Sequence, residues 1–311
     1  MNKKTLIKII VSVFLFGFIL SQIDRTQLIQ NLKLLDVSFI PLIISLLIGN
    51  YIVSSIRWKK LLIFENSEKA TVTKLTSLYF IGAFFNNFMP TSIGGDVYKI
   101  FKLGTIIKSK TNAFIATFME RFSGIVALII ISYYGLLNTL DFWVTLLPTS
   151  VSGNSILLTG FKFILFFGFW IGAIVGFISL KLLAKKSIKI AKLYDALLLY
   201  KTQYSVLIWA FLTSFLVQFM GIFTQFFIFR ALGVDLPLSY ALFVLPMITM
   251  ASFFIPSLNG VGVQDALYIK LFQVVGVPSE LALSASILYH LLRLLVSLLG
   301  GVFYVFEKDS S

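Results

Sequence analysis

The sequence predicts an all-α integral membrane protein. It reads as about six full transmembrane helices plus two opposed re-entrant helical hairpins that form an inverted repeat. Three observations carry this. Apolar residues make up 58% of the 311 positions and charged residues only 13%, roughly half the usual charged share of about 25%. The mean hydropathy is +0.95, and several runs exceed the roughly 18 residues that mark a membrane-spanning candidate. Two otherwise apolar regions, about 75–107 and 238–276, are each interrupted in the middle by proline and glycine.

Taken in order, the chain opens with Met1, Asn2, Lys3 and Lys4 and then an apolar run to Ile23. No small-x-small cleavage site follows, so this run is expected to be an uncleaved first helix. Further spans are expected at 39–56, 112–137, 162–182, 205–229 and 281–306. The stretch "AKKSIKIAKLYDALLLYKT" carries Lys185, Lys189 and Lys192 on one stripe and Ile190, Tyr194 and Leu197 on another. It predicts an amphipathic helix, about 185–202, lying on the anionic cytoplasmic leaflet. Gly168, Gly172 and Gly176 form a small-residue ridge suited to close helix contact. The whole of 1–311 reads as one transmembrane domain.

Charge placement orients it. With a cytoplasmic N-terminus and both broken regions entering and leaving on one side, nineteen of the 26 Lys and Arg residues fall in cytoplasmic segments and five outside. That is the arrangement the positive-inside rule favours. Arg121 and Arg293 fall within spans. A cell (inner) membrane protein with both termini cytoplasmic is therefore expected. The net charge of +13 belongs to this topology and calls for no nucleic acid partner.

The first broken region contains "NNFMPTSIGGDVYKIF", residues 86–101. Pro90 ends one half-helix because it lacks a donor, Gly94 and Gly95 permit a tight turn, and Asp96 can cap the second half. The second region, "FFIPSLNGVGVQDALYIKLF", repeats the order of parts: Pro256, Asn259, Gly260, Gly262, Asp265, Tyr268, Lys270. Each is followed by a span with a polar cluster, Glu120 and Arg121 in one case, His290 and Arg293 in the other. Irregular backbone at membrane depth survives only inside protein or beside a wet cavity, and substrate sites lie where inverted repeats meet. The half-helix N-termini favour anions, and arginine suits phosphate because of its planar fork. The candidate head-group residues are Gly94, Gly95, Asp96, Lys99, Glu120, Arg121, Asn259, Gly260, Gly262, Asp265, His290 and Arg293.

Structural readings stand beside these. Arg121 can instead bridge to Asp96 or Asp265 as a structural ion pair. His290 can be a satisfied polar residue rather than a proton relay. Arg57 and Trp58 sit where interfacial anchoring is the default. No cysteine and a single histidine exclude disulfides, thiolate metal sites and multi-histidine centres. No nucleotide-binding or hydrolase motif occurs, so no cofactor, metal or catalytic residue is expected.

The segments "SSIRWKKLL", "NNFMPTSIGGDVYKIFKL", "ATFMERFSGIVAL" and "FFIPSLNGVGVQDALYIKLF", followed by "HLLRLL", resemble the lysylphosphatidylglycerol synthase transmembrane, or flippase-like, family over nearly the whole chain. The resemblance implies two opposed re-entrant hairpins and a role in moving lipids between leaflets. The aminoacyl-transferase domain fused to some relatives is not expected here. Lys99 and Gln264 stand where relatives often carry arginine. Together these readings predict a translocator of an anionic or phosphate-bearing lipid rather than an enzyme, with membrane lipids as partners. A homo-oligomer or an envelope-biosynthesis partner stays open. An intramembrane enzyme acting on a lipid phosphate, a small-solute carrier and an accessory subunit of an envelope-assembly complex are the competing readings.

Overall fold

In the computed structural model, the described residues are 35–88, 94–145, 198–255 and 259–306, with isolated positions outside these runs. The expected first helix, the span 162–182 with its glycine ridge, most of 185–202, and the turn 89–93 with Pro90 lie outside them, as does Pro256.

The described residues form nine α-helices and no strand. They are α1 (Ile40–Lys60), α2 (Val72–Phe88), α3 (Gly94–Ile106), α4 (Lys110–Asn138), α5 (Leu140–Thr145), α6 (Tyr204–Ala231), α7 (Leu238–Phe254), α8 (Val263–Gln273) and α9 (Ser279–Phe306). Local chemistry sets several ends. A 3-10 turn at Val37–Phe39 leads into α1, and its first N–H groups are met by Asp36, which accepts from the Ser38 N–H at 3.0 Å. Pro41 sits in the first turn of α1, and Arg57, Lys59 and Lys60 close its last turn, where cations complement the helix dipole. Ser109 caps α4. Gly262, at φ +84°, precedes α8, and its N–H is taken by Asp265 at 2.7 Å.

Among the described residues, four segments are long and apolar enough to cross a membrane: Val37–Lys60, α4, α6 and α9. They coincide with the spans expected at 39–56, 112–137, 205–229 and 281–306. Their outer faces carry exposed Leu, Ile and Phe, for example Ile208, Leu212, Leu291, Leu295 and Val302. In a hydrocarbon solvent such faces are the lipid boundary. On α6 the rings of Phe211, Phe215, Phe219, Phe223 and Phe227 follow one another at 4.9–6.4 Å, because residues four apart share a helix face.

The helix pairings have a regularity of their own. Helix α1 packs on α6, α2 on α9, and α4 on α7; α3 packs on α4, and α8 on α9. Exchanging α1 with α6, α2 with α7, α3 with α8 and α4 with α9 maps this set of pairings onto itself. Two glycines mark the equivalence. A Cβ on Gly135 of α4 would overlap the Leu242–Phe243 backbone of α7, and one on Gly300 of α9 would overlap the Phe80 carbonyl of α2. Only a residue without a side chain lets backbones approach so closely.

Candidate functional site

The crossing helices form a partly open cavity of about 300 Å³ with charged and amide side chains in its walls. Its walls come from α1, α2, α3, α4, α6, α7 and α9, from Gln264 of α8 and from the turn leading into α8. Among the described residues, four cations line it, Arg57, Lys99, Arg121 and Arg293, against two carboxylates, Asp96 and Glu120.

The first half contributes a charged cluster. Glu120 and Arg121 are neighbours on α4 and so point about 100° apart. Glu120 meets Arg57 at 2.5 Å and lies 3.9 Å from the Lys99 ammonium. Arg121 donates Nε–H and Nη2–H to the two oxygens of Asp96, both at 2.8 Å. Lys99 completes the cluster, 2.9 Å from Asp96 and 3.9 Å above the Tyr79 ring. Arg57 also donates to the Ser214 hydroxyl of α6 at 2.9 Å. Both carboxylates are thus held by permanent cations, the arrangement that makes buried charge tolerable. The α2–α3 hairpin is cinched at the same place. A Cβ on Gly95 would overlap the Gly82 carbonyl, and the Gly95 N–H donates to Asn86 at 2.7 Å.

The second half is mostly neutral. Ser286 donates to Asp265 Oδ1 at 2.6 Å, and His290 Nε2 lies 3.4 Å from the same oxygen. Tyr268 hydrogen-bonds Gln225 of α6. A chain of amides joins the halves: Asn87 donates to Ser297 at 2.6 Å, Asn259 donates to Asn87 at 2.8 Å, and Arg293 donates to Asn259 at 2.9 Å. Arg293 also lies over the Tyr289 ring, 5.1 Å from its centre. Among the described residues no carboxylate lies within ion-pair distance of Arg293.

Of the residues singled out in the sequence, Asp96, Lys99, Glu120, Arg121, Asn259, Gly260 and Arg293 line the cavity. Gly94, Gly95, Gly262, Asp265 and His290 stand behind it. The half-helix N-termini are not bare donors: Asn86 takes one N–H at α3 and Asp265 takes one before α8. Arg57 and Trp58 depart from the interfacial default. Arg57 is 4% exposed and Trp58 wholly buried, drawn inward by Glu120 and by the Lys99 ammonium, 5.2 Å from the indole. Asn86, Asn87 and Gln225, neutral amides inside apolar runs, also line the cavity and went unread as site residues. Gln264 presents a buried Oε1 without a hydrogen-bond partner. No group of three or more metal-ligating side chains occurs among the described residues.

A family model described as Lysylphosphatidylglycerol synthase TM region matches residues 5–301. No curated protein and no solved structure matches the chain.

Proposed function

Because the chain belongs to the lysylphosphatidylglycerol synthase TM region family and is therefore a membrane protein of lipid-related kinship, we propose that it moves an anionic, phosphate-bearing lipid between leaflets. The single observation that carries the reading is Arg293. It is a cavity-lining guanidinium without a carboxylate partner among the described residues, in a wall with more cations than carboxylates. A phosphate oxygen can take its charge-assisted hydrogen bonds. Lys99 and Arg121 are already engaged by Asp96, so the cavity attracts an anion without becoming a permanent trap. The acyl tails stay in the bilayer while the head group occupies the cavity.

The two hairpins, α2–α3 and α7–α8, serve in this reading as re-entrant elements of opposite orientation, the inverted repeat that transporters place around a midplane site. The protein then lies in the cell's inner membrane with both termini cytoplasmic, working alone, as a homo-oligomer or with an envelope-biosynthesis partner.

The test is native mass spectrometry of the purified protein and of Arg293→Ala, followed by a leaflet-exchange assay in vesicles. Losing a hydrogen bond between charged groups costs about 1.5–3 kcal/mol, so head-group retention is expected to weaken by roughly 10- to 150-fold. The variant is expected to stay folded, with its unfolding midpoint lowered by no more than the loss of its bond to Asn259 explains. Equal, unselective lipid mixtures on both forms overturn the reading, and so does chemical conversion of the lipid in detergent.

A further inference from the structure

We propose that Asp265 and His290 form a proton-binding site coupled to anion binding at Arg293; the inference rests on the lipid-anion reading above and adds what drives it.

The argument begins with two equivalent carboxylates. Asp96 and Asp265 are each the third residue of a short helix, α3 and α8, and each short helix packs on the long helix that follows it. Both carboxylates are buried, at 6% and 0% exposure. Their partners differ. Three residues beyond Asp96 is Lys99; three residues beyond Asp265 is Tyr268, whose hydroxyl is spent on Gln225. Arg121, which clamps Asp96, lies fourteen residues before the close-contact glycine Gly135. Fourteen residues before the matching Gly300 is Ser286, which donates to Asp265 through a neutral hydroxyl. One buried carboxylate therefore has two permanent cations and the other has none.

Asp265 has a titratable neighbour instead. His290 Nε2 stands 3.4 Å from Oδ1, is buried, and makes no hydrogen bond. Other titratable or charged groups around the pair are Tyr289 and Arg293 on α9, Tyr268 on α8 and Tyr51 on α1. Tyr240 of α7 is tied to the Leu271 carbonyl, Tyr79 of α2 faces Lys99 and Glu120, and α6 contributes the neutral Gln225.

An ionised carboxylate without a cation is expensive in a low-dielectric interior. With one proton shared between them, imidazolium and carboxylate, or imidazole and carboxylic acid, the pair is neutral. When the proton leaves, the pair carries one negative charge. Arg293 follows His290 by three residues and so shares its helix face. A negative charge there competes with a phosphate for the guanidinium, and a bound proton removes the competitor. Proton and anion therefore favour each other's binding, and the coupling is reciprocal. The proton is taken up from water and is released to water when the anion leaves; no bond in the lipid is made or broken.

His290 is the chain's only histidine, so imidazole magnetic resonance reports it alone. The experiment uses the full chain with isotope-labelled histidine in phosphatidylcholine nanodiscs, with and without phosphatidylglycerol, from roughly pH 5 to pH 9. Native mass spectrometry records the retained lipid in parallel. The expected result is one protonation step whose position differs between the two nanodiscs. Phosphatidylglycerol retention is expected to strengthen as pH falls, by up to about tenfold per pH unit, the limit for a single linked proton. Either single variant, Asp265→Asn or His290→Gln, is expected to shift the pH at which retention changes, and the double variant to make retention independent of pH.

Retention of phosphatidylglycerol with a His290 signal that ignores it overturns the coupling alone. Absence of retention at every pH overturns the anion site and the coupling with it. A shift produced by inorganic phosphate in place of the lipid supports the coupling and assigns the anion to the free ion.

Discussion

Replacing Glu120 by methionine removes one carboxylate from a cluster that holds Arg57, Lys99 and Arg121 against Asp96 and Glu120. Three cations then face a single carboxylate. Arg57, 4% exposed, keeps only its hydrogen bond to Ser214 among the polar partners described above. Breaking a buried ion pair by deleting one partner costs about 3–5 kcal/mol, whereas replacing both partners by apolar residues of similar volume is often neutral or stabilising. Methionine at both 57 and 120 leaves Lys99 and Arg121 against Asp96, which restores the original one-charge excess. Ser214 keeps its bond to the Ala210 carbonyl at 2.6 Å, so no hydroxyl is orphaned. Glu120→Met alone is expected to lose about 3–5 kcal/mol, and the double variant to recover most of it. Chemical unfolding in detergent, followed by tryptophan fluorescence, measures both, because Trp58 lies 5.2 Å from the Lys99 ammonium. A double variant no more stable than Glu120→Met refutes the reasoning: the cluster's worth would then lie outside this pair.

Other expectations concern backbone contact and the anion site. Gly135→Ala and Gly300→Ala press a methyl group onto the α7 and α2 backbones respectively; each is expected to cost about 1–3 kcal/mol in the same unfolding assay. Similar costs at both positions are expected if the two halves are structural equivalents, and a cost at only one counts against that. Asn259→Asp places a carboxylate 2.9 Å from the Arg293 guanidinium. It is expected to abolish anionic-lipid retention, as read by native mass spectrometry on the folded fraction isolated by size-exclusion chromatography.

How far the sequence went is clearest at particular residues. The spans were legible because twenty or so apolar residues have few alternatives to a membrane helix. Asp96 and Arg121 were legible as partners in waiting because charge inside an apolar run needs an explanation. The Arg57–Glu120 pair was not. The two are 63 residues apart, and an arginine followed by tryptophan and two lysines has the composition of an interfacial belt. Only the packing of α4 beside α1 brings Glu120 within reach and turns Arg57 inward. Neutral amides were harder still. Asn87 announces nothing in a hydropathy pattern, whereas Asn259, 172 positions away, was legible from its place in the second Pro–Gly element; the bond between them appears only when the hairpins meet. At the half-helix N-termini the local partners also went unread: Asn86 takes the Gly95 N–H and Asp265 takes the Gly262 N–H.

The exchange of pairings that relates the two halves leaves one contact mapped onto itself, that of α1 with α6. This crossing is pinned by Asn50, whose amide donates to the Val217 carbonyl at 2.8 Å, and it carries Arg57 on one side and Gln225 and Ser214 on the other. A rearrangement that gave each half the other's shape would leave this pair as its fulcrum, with the hairpins and the long helices α4 and α9 swinging about it. On the proposed lipid-moving reading, a head group held against α1 and α6 would travel little in such a cycle, and the surrounding helices would change only which doorway stands ajar.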